Sequence, residues 1–210
     1  MRSVSGKFLF VCLLLLLCLS GCGKEEPVAE KPVIYLYPQQ EIAVSLTLDL
    51  DGTLTASYPA YGPQGWQVIA HPDGTLTDPA TGRSYYCLFW EGESGAPYDL
   101  SAGFVVAGDE TAAFLEDALS QLGLTEREAN EFILYWLPRM QDNPYNLICF
   151  QDTAYTGSAR LTIDPAPDTL LRVFMAWKPL DEPIQLPAQT LTAPQRTGFT
   201  VVEWGGAELP

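Results

Sequence analysis

The hydrophobic period changes twice along this chain, and that change limits the fold more than any single residue does. Over residues 41–58 apolar and polar side chains alternate, with Ile42, Val44, Leu46, Leu48 and Leu50 separated by Ala43, Ser45, Thr47 and Asp49. A period of two puts the apolar set on one face, so this stretch is predicted to be half-buried strand. From Asp109 the period lengthens. Ala112, Leu115, Leu119 and Leu122 share one helical face, and Gly123 suits the stop. Ala129, Phe132, Ile133, Trp136, Leu137 and Met140 make a second helical stripe, opened by a Thr125/Glu128 capping box. Pro138 is expected to end or kink that helix near Leu137. Strand-like runs return at 147–151, 159–163, 170–177 and 199–204. Neither helix can hide its stripe alone. The expectation is a single α+β domain over residues 31–210, mainly antiparallel and sandwich-like. A helical hairpin is inserted between its N- and C-terminal strands and packs on the sheet.

Within this frame, Lys31-Pro-Val-Ile-Tyr-Leu-Tyr-Pro38 reads as a strand bounded by prolines. Asp51-Gly52 reads as the turn of a hairpin. A three-residue loop, with Gly52 left-handed, would pair Leu48 with Leu54, Leu46 with Ala56 and Val44 with Tyr58, keeping the apolar faces together. Strands are expected at 66–71, 85–91 and 103–107, and loops at 59–65 and 92–96. Pro179, Pro183, Pro187 and Pro194 make 178–196 an extended connection or an edge. No repeat of 20–50 residues is present.

The N-terminus carries a different signal. Arg2 and Lys7 precede an unbroken apolar run over residues 8–19. Twelve helical residues reach about 18 Å, short of the roughly 30 Å of a bilayer core, which suits a secretory leader. Leu19-Ser20-Gly21-Cys22 follows, and this pattern resembles the lipobox of bacterial lipoproteins. The resemblance implies cleavage between Gly21 and Cys22 and diacylglyceryl attachment at the Cys22 sulfur, with residues 1–21 as signal peptide. Two acyl chains anchor stably, each buried CH₂ contributing about 0.8 kcal/mol. Residues 22–30 then form a polar tether, of which 23–30 span at most about 29 Å. The expected location is the outer face of the cell membrane, extracellular or periplasmic.

Charge narrows the partners. The chain has 11 basic and 26 acidic side chains, a net charge of −15. Loss of Arg2 and Lys7 with the leader leaves nine against 26, or −17. Such a surface repels nucleic-acid phosphates and anionic head groups alike, so nucleic-acid binding is excluded. Cys12 and Cys18 leave with the leader and Cys22 takes lipid. Cys87 and Cys149 remain, either as a disulfide or as two buried thiols.

Four phrases, Lys31-Pro-Val-Ile-Tyr-Leu-Tyr-Pro38, Leu88-Phe-Trp-Glu91, Glu131-Phe-Ile-Leu-Tyr-Trp-Leu-Pro138 and Val202-Glu-Trp-Gly-Gly206, are similar to those of an uncharacterised family of bacterial envelope lipoproteins. The resemblance covers nearly the whole mature chain. It implies an exported domain and brings no activity or catalytic residues.

Most enzyme templates fail on the residues themselves. His71 is the only histidine and lies beside a Pro-Asp-Gly turn, which excludes multi-histidine zinc sites. No Gly-x-Ser-x-Gly elbow or phosphate-binding glycine loop is present. The acidic pairs Asp49/Asp51 and Asp164/Asp168 lack the convergent spacing of a metal loop, and no cofactor is expected. The remaining candidates are Glu91 and Glu203, each next to a tryptophan, Trp90 or Trp204. Brought to one end of a sheet, two carboxylates in unlike surroundings could divide acid and base roles in glycoside cleavage, with the tryptophans as sugar platforms. Alternatively each Glu ends a strand at the solvent edge or pairs with Arg83, Arg160 or Arg172. Two functions are therefore carried forward, a non-catalytic domain binding an envelope protein or glycan, preferred, and a glycan hydrolase using Glu91 and Glu203.

Overall fold

The computed structural model describes residues 28–210. Its elements run β1 (Val28–Tyr37), β2 (Ile42–Leu50), β3 (Gly52–Tyr58), β4 (Trp66–Ala70), β5 (Leu76–Thr77), β6 (Ser84–Tyr85), β7 (Leu88–Ser94) and β8 (Phe104–Ala107). A 3-10 turn at Gly108–Glu110 leads into α1 (Thr111–Gln121) and α2 (Glu126–Met140). Then come β9 (Tyr145–Gln151), α3 (Thr153–Ser158), β10 (Ala159–Asp164), β11 (Thr169–Leu180) and β12 (Thr200–Glu208). Cys22, the Gly21–Cys22 junction and most of the tether lie outside the described residues.

The strands form a seven-stranded sheet, ordered β3-β7-β1-β12-β11-β9-β8, and a five-stranded sheet, ordered β10-β2-β4-β5-β6. Pairing is antiparallel except between β11 and β12, so the α+β, sheet-rich expectation describes the molecule. One core lies between the sheets and holds Ile34, Leu36, Val44, Leu46, Trp66, Leu88, Trp90 and Val201. The other lies between the seven-stranded sheet and the helix pair and holds Val33, Tyr35, Leu115, Leu119, Phe132, Trp136, Val202 and Trp204. Strands β1 and β12 are thus covered on both faces. That is why 33–36 and 199–202 read as apolar runs and the exterior strand β2 alternates. Among the described residues, no helix is long and apolar enough to cross a membrane.

Five local expectations are corrected. β2 and β3 are not a hairpin. β2 pairs with β10 and β4, while β3 pairs with β7 in the other sheet. The chain changes sheets at Asp51, whose amide donates to the Ser158 carbonyl at 2.7 Å. Leu48, Leu50 and Leu54 still pack against one core, but from different sheets. The run 85–91 is split in the same way, Ser84–Tyr85 joining the smaller sheet and Leu88 onward the larger. The loop expected at 92–96 is instead strand to Ser94. Gly92 permits this, since a Cβ there would lie 2.6 Å from Leu50 and 2.9 Å from the Thr53 carbonyl. Helix α2 does not end at Leu137 but runs through Pro138 to Met140. Proline removes the bond to the Leu134 carbonyl, and Leu134 is 76% exposed, so the loss falls on the wet side of the helix. Finally, β1 takes in Val28 to Glu30, which shortens the tether from its C-terminal end.

Candidate functional site

Glu91 and Glu203 occupy opposite faces of one sheet. Glu203 points into the inter-sheet core with Val201 and is fully buried. Its Oε1 accepts a hydrogen bond from Trp90 Nε1 at 3.1 Å, and its Oε2 one from Arg172 Nε at 2.6 Å. Glu91 alternates with Trp90 on β7, so it lies with Phe89 and Cys87 on the helix side. The carboxylates share no cleft, and the paired-acid arrangement is not formed. Trp90 and Trp204 are 0% and 1% exposed, so neither can serve as a sugar platform. Trp204 packs on Phe132 with ring centroids 5.3 Å apart. The pairing of Glu203 with Arg172, one of the alternatives raised by the sequence, is the one observed.

Of the two states left open for Cys87 and Cys149, free thiols are the one observed. Cys87 leads into β7 and Cys149 sits on β9, four strand spacings away, on the order of 19 Å at about 4.8 Å each. They also face opposite sides of the sheet. His71 pairs with Glu41 at 3.3 Å and contacts Thr77 at 3.1 Å. Asp49 binds Arg160 at 2.8 Å, and Asp168 accepts the Phe199 amide at 2.7 Å. Among the described residues, no group of three or more metal-ligating side chains gathers.

What the fold does build is an aromatic recess where the two sheets part. Strand β1 bulges there, since its register slips between Ala29 and Val33 against β7 and between Glu30 and Val33 against β12. Lys31, at the bulge, has φ 57°, the left-handed region that a lysine rarely adopts. Its Nζ lies 5.5 Å from the Phe89 ring centre and 5.4 Å from that of Tyr135. The end of β3 brings Tyr58, and the crossing from β6 to β7 brings Tyr85, Tyr86 and Cys87. With Lys31, Val33, Ser84 and Phe89 these line a cavity of about 420 Å³. Tyr58 and Tyr86 stand at its mouth, 56% and 54% exposed. Tyr86 also borders a smaller recess of about 150 Å³, which includes Tyr35, Tyr37, Arg127 and Glu128.

Charges around the recess are mostly matched. Tyr35 donates to Glu131 at 2.6 Å, and Glu131 pairs with Arg127 at 3.4 Å. Tyr135 donates to Glu30 at 2.9 Å, and Glu30 pairs with Arg139 at 3.3 Å. Burial and the bond to Glu131 hold the Tyr35 hydroxyl well above its ordinary pKa. Burial, reinforced by the Glu131 charge, pushes the Cys87 thiol up to about 11. At neutral pH that sulfur is a protonated apolar wall rather than a nucleophile. The recess therefore offers flat rings for stacking, one ammonium and hydroxyls for hydrogen bonding, which is equipment for holding a ligand. Sequence reasoning missed it because Lys31, Tyr58 and Tyr86 lie far apart in the chain. Two changes of sheet bring them together, and alternation does not announce a change of sheet.

No family model matches the chain, and no solved structure does. It is similar to a Butyrivibrio fibrisolvens protein described as the uncharacterized protein in the bglA 3′ region, at 43% identity over 65 residues. Those residues are 30% of this chain and 66% of that protein, so the chain spans just under two thirds of the relative's length.

Proposed function

We propose that this is an exported, lipid-anchored envelope protein whose folded part binds a glycan, without cleaving it, in the recess bounded by Tyr58 and Tyr86. The observation that carries the reading is the pair of half-exposed tyrosines at the mouth of an aromatic cavity. Exposed aromatic rings cost free energy in water and gain it on the apolar face of a sugar ring, while their hydroxyls meet the ring substituents. Export and anchoring are supported by the charged start, the apolar run and Leu19-Ser-Gly-Cys22. Lipid at Cys22 would hold this recess near the outer leaflet, within reach of wall or surface polysaccharide.

The test has two arms. Metabolic labelling with a palmitate analogue should mark the wild type and leave Cys22→Ala unlabelled; label that persists in Cys22→Ala removes the anchor. Full-length protein in detergent, titrated with envelope polysaccharide fractions, should bind one of them without releasing fragments. Tyr86→Ala and Tyr58→Ala should each weaken that binding by about tenfold or more, since truncating an aromatic anchor of a binding site typically costs more than about 1 kcal/mol. Binding unchanged in both variants moves the ligand elsewhere.

A further inference from the structure

We infer that the glycan held in this recess is acidic, and that the Lys31 ammonium recognises its carboxylate. The inference rests on the reading of the recess as a glycan site and adds the class of sugar and the residue that selects it.

Lys31 is the one non-glycine with a left-handed backbone among the described residues. Backbone strain of this kind persists only where the surroundings impose it, and it collects at binding sites. Here a bulge against both neighbouring strands imposes it, and the result is an ammonium set between Phe89 and Tyr135 at the edge of the cavity. A glycine at this point would relax the chain, yet the chain carries a lysine.

The ionic contacts of this face leave that lysine unmatched. Arg127 takes Glu131 and Arg139 takes Glu30, whereas Lys31 has no carboxylate within 4.0 Å among the described residues. Among the described residues Lys31, Lys178 and Arg83 lack an ion-pair partner, and of these Lys31 is the one that lines this aromatic cavity. Aromatic faces attract it, and a ligand anion would attract it more strongly in the same place.

The type of anion follows from what surrounds the lysine. Phosphate and sulfate are best held by forked guanidinium groups. Arg127 and Arg139 are already engaged with glutamates, and the Glu131 charge reaches Cys87 in the cavity wall, where it would oppose a dianion. The net charge that repels nucleic acid also disfavours a densely charged polymer, and a single ammonium suits a single negative charge. The geometry therefore points to a uronate-type sugar, its ring against Tyr58 or Tyr86 and its carboxylate at Lys31 Nζ. A cavity of about 420 Å³ falls within the roughly 300–1,000 Å³ of small-ligand sites.

The experiment titrates full-length protein in detergent with short oligomers of galacturonate, glucuronate and mannuronate, their uncharged methyl esters, neutral oligosaccharides and a sugar phosphate. At least one uronate should bind, with its methyl ester at least tenfold weaker. Lys31→Met should weaken the acid about tenfold and leave the ester unchanged, whereas Tyr86→Ala should weaken both. Lys31→Gly relieves the left-handed backbone and removes the same charge, so it serves if Lys31→Met does not fold. Alkylation of Cys87, which lines the cavity, run at alkaline pH to populate the thiolate, should slow when the uronate is bound. Equal affinity for acid and ester, indifference to Lys31, or equal affinity for the sugar phosphate would overturn the carboxylate assignment and leave the glycan site standing. Neutral sugars bound in a Tyr86-dependent way, with no uronate bound, would do the same. No binding of any sugar would remove both.

Discussion

Arg172 Nη1 donates to the Ala159 carbonyl at 2.7 Å, its guanidinium lies 4.6 Å from the Tyr155 ring, and its Nε holds Glu203. The side chains of this pair are 7% and 0% exposed. A buried ion pair adds little net stability over an apolar one, but breaking it strands a charge at a cost of about 3–5 kcal/mol. Arg172→Met should therefore lower the unfolding free energy by about that amount in urea. The double variant Arg172→Met/Glu203→Gln should recover at least half of the loss, because no charge is left buried and Trp90 keeps an acceptor. A double variant no better than the single one would mean that the Tyr155 and Ala159 contacts, rather than charge, carry the effect. The sequence named Arg172 as one partner open to Glu203. It could not show that the two meet in register across β11 and β12, because that depends on a parallel pairing. Glu128 makes the second residue-scale prediction. Burial raises its carboxyl pKa, but the Arg196 hydrogen bond, the Thr125 amide and the Arg196 charge outweigh burial and hold it below 4.5. A depressed folded pKa gives stability that is fully present above the unfolded value, about 4.5, and lost as pH falls through the folded one. Urea midpoints taken from neutral pH down into that range should fall more steeply for the wild type than for Glu128→Gln; parallel curves would refute the linkage.

The helix hairpin shows what a single element owes to local signals and what it owes to its neighbours. Helix α2 begins where the capping box placed it, with the Thr125 amide donating to Glu128 Oε2 at 2.8 Å and the Glu128 amide to Thr125 Oγ1 at 3.4 Å. Thr125→Ala should cost about 1 kcal/mol of stability, read as a lower melting temperature without loss of helix content. The four sequence phrases prove to be one neighbourhood. Strands β7, β1 and β12 are consecutive in the sheet, and α2 lies across their outer face. Gly206 is bare because Trp136 fills the space. A Cβ there would lie 2.6 Å from the indole and 2.7 Å from the Met175 carbonyl. Gly206→Ala should therefore cost about 1–3 kcal/mol by overpacking, with the Trp136 fluorescence altered in the folded state; an unchanged unfolding midpoint would show that α2 can lift away freely. These phrases were legible as strands and helix because their periods are local. Their mutual contact was not, since no pattern within a phrase names its neighbour. The β2–β3 hairpin misled for the same reason: Leu48 and Leu54 share a core, but they line it from different sheets.

Across the whole molecule, one seven-stranded sheet carries both cores, so positions on it are separated by strand spacings as well as by face. The layer count was readable, because a sheet with an alternating strand, a doubly apolar strand and two striped helices needs covering on both sides. The route was not. The proline-rich connection over 181–199 returns the chain to lie parallel beside β11, and extended prolines state a length rather than a destination. That route decides the thiols. Placing β12, β11 and β1 between β7 and β9 puts Cys87 and Cys149 far beyond the 7 Å Cα separation that a disulfide tolerates. In an oxidising envelope they should stay reduced while the domain is folded. Alkylation after unfolding should then modify the peptides of both residues without prior reduction, and melting temperature should be the same with and without reductant. A bridge closing a loop of roughly sixty residues would contribute about 2–4 kcal/mol, enough to move the melting temperature by several degrees. A reductant-dependent fall of that size would require β7 and β9 to be neighbours, and would break the sheet order on which both the buried Glu203 and the Lys31 recess depend.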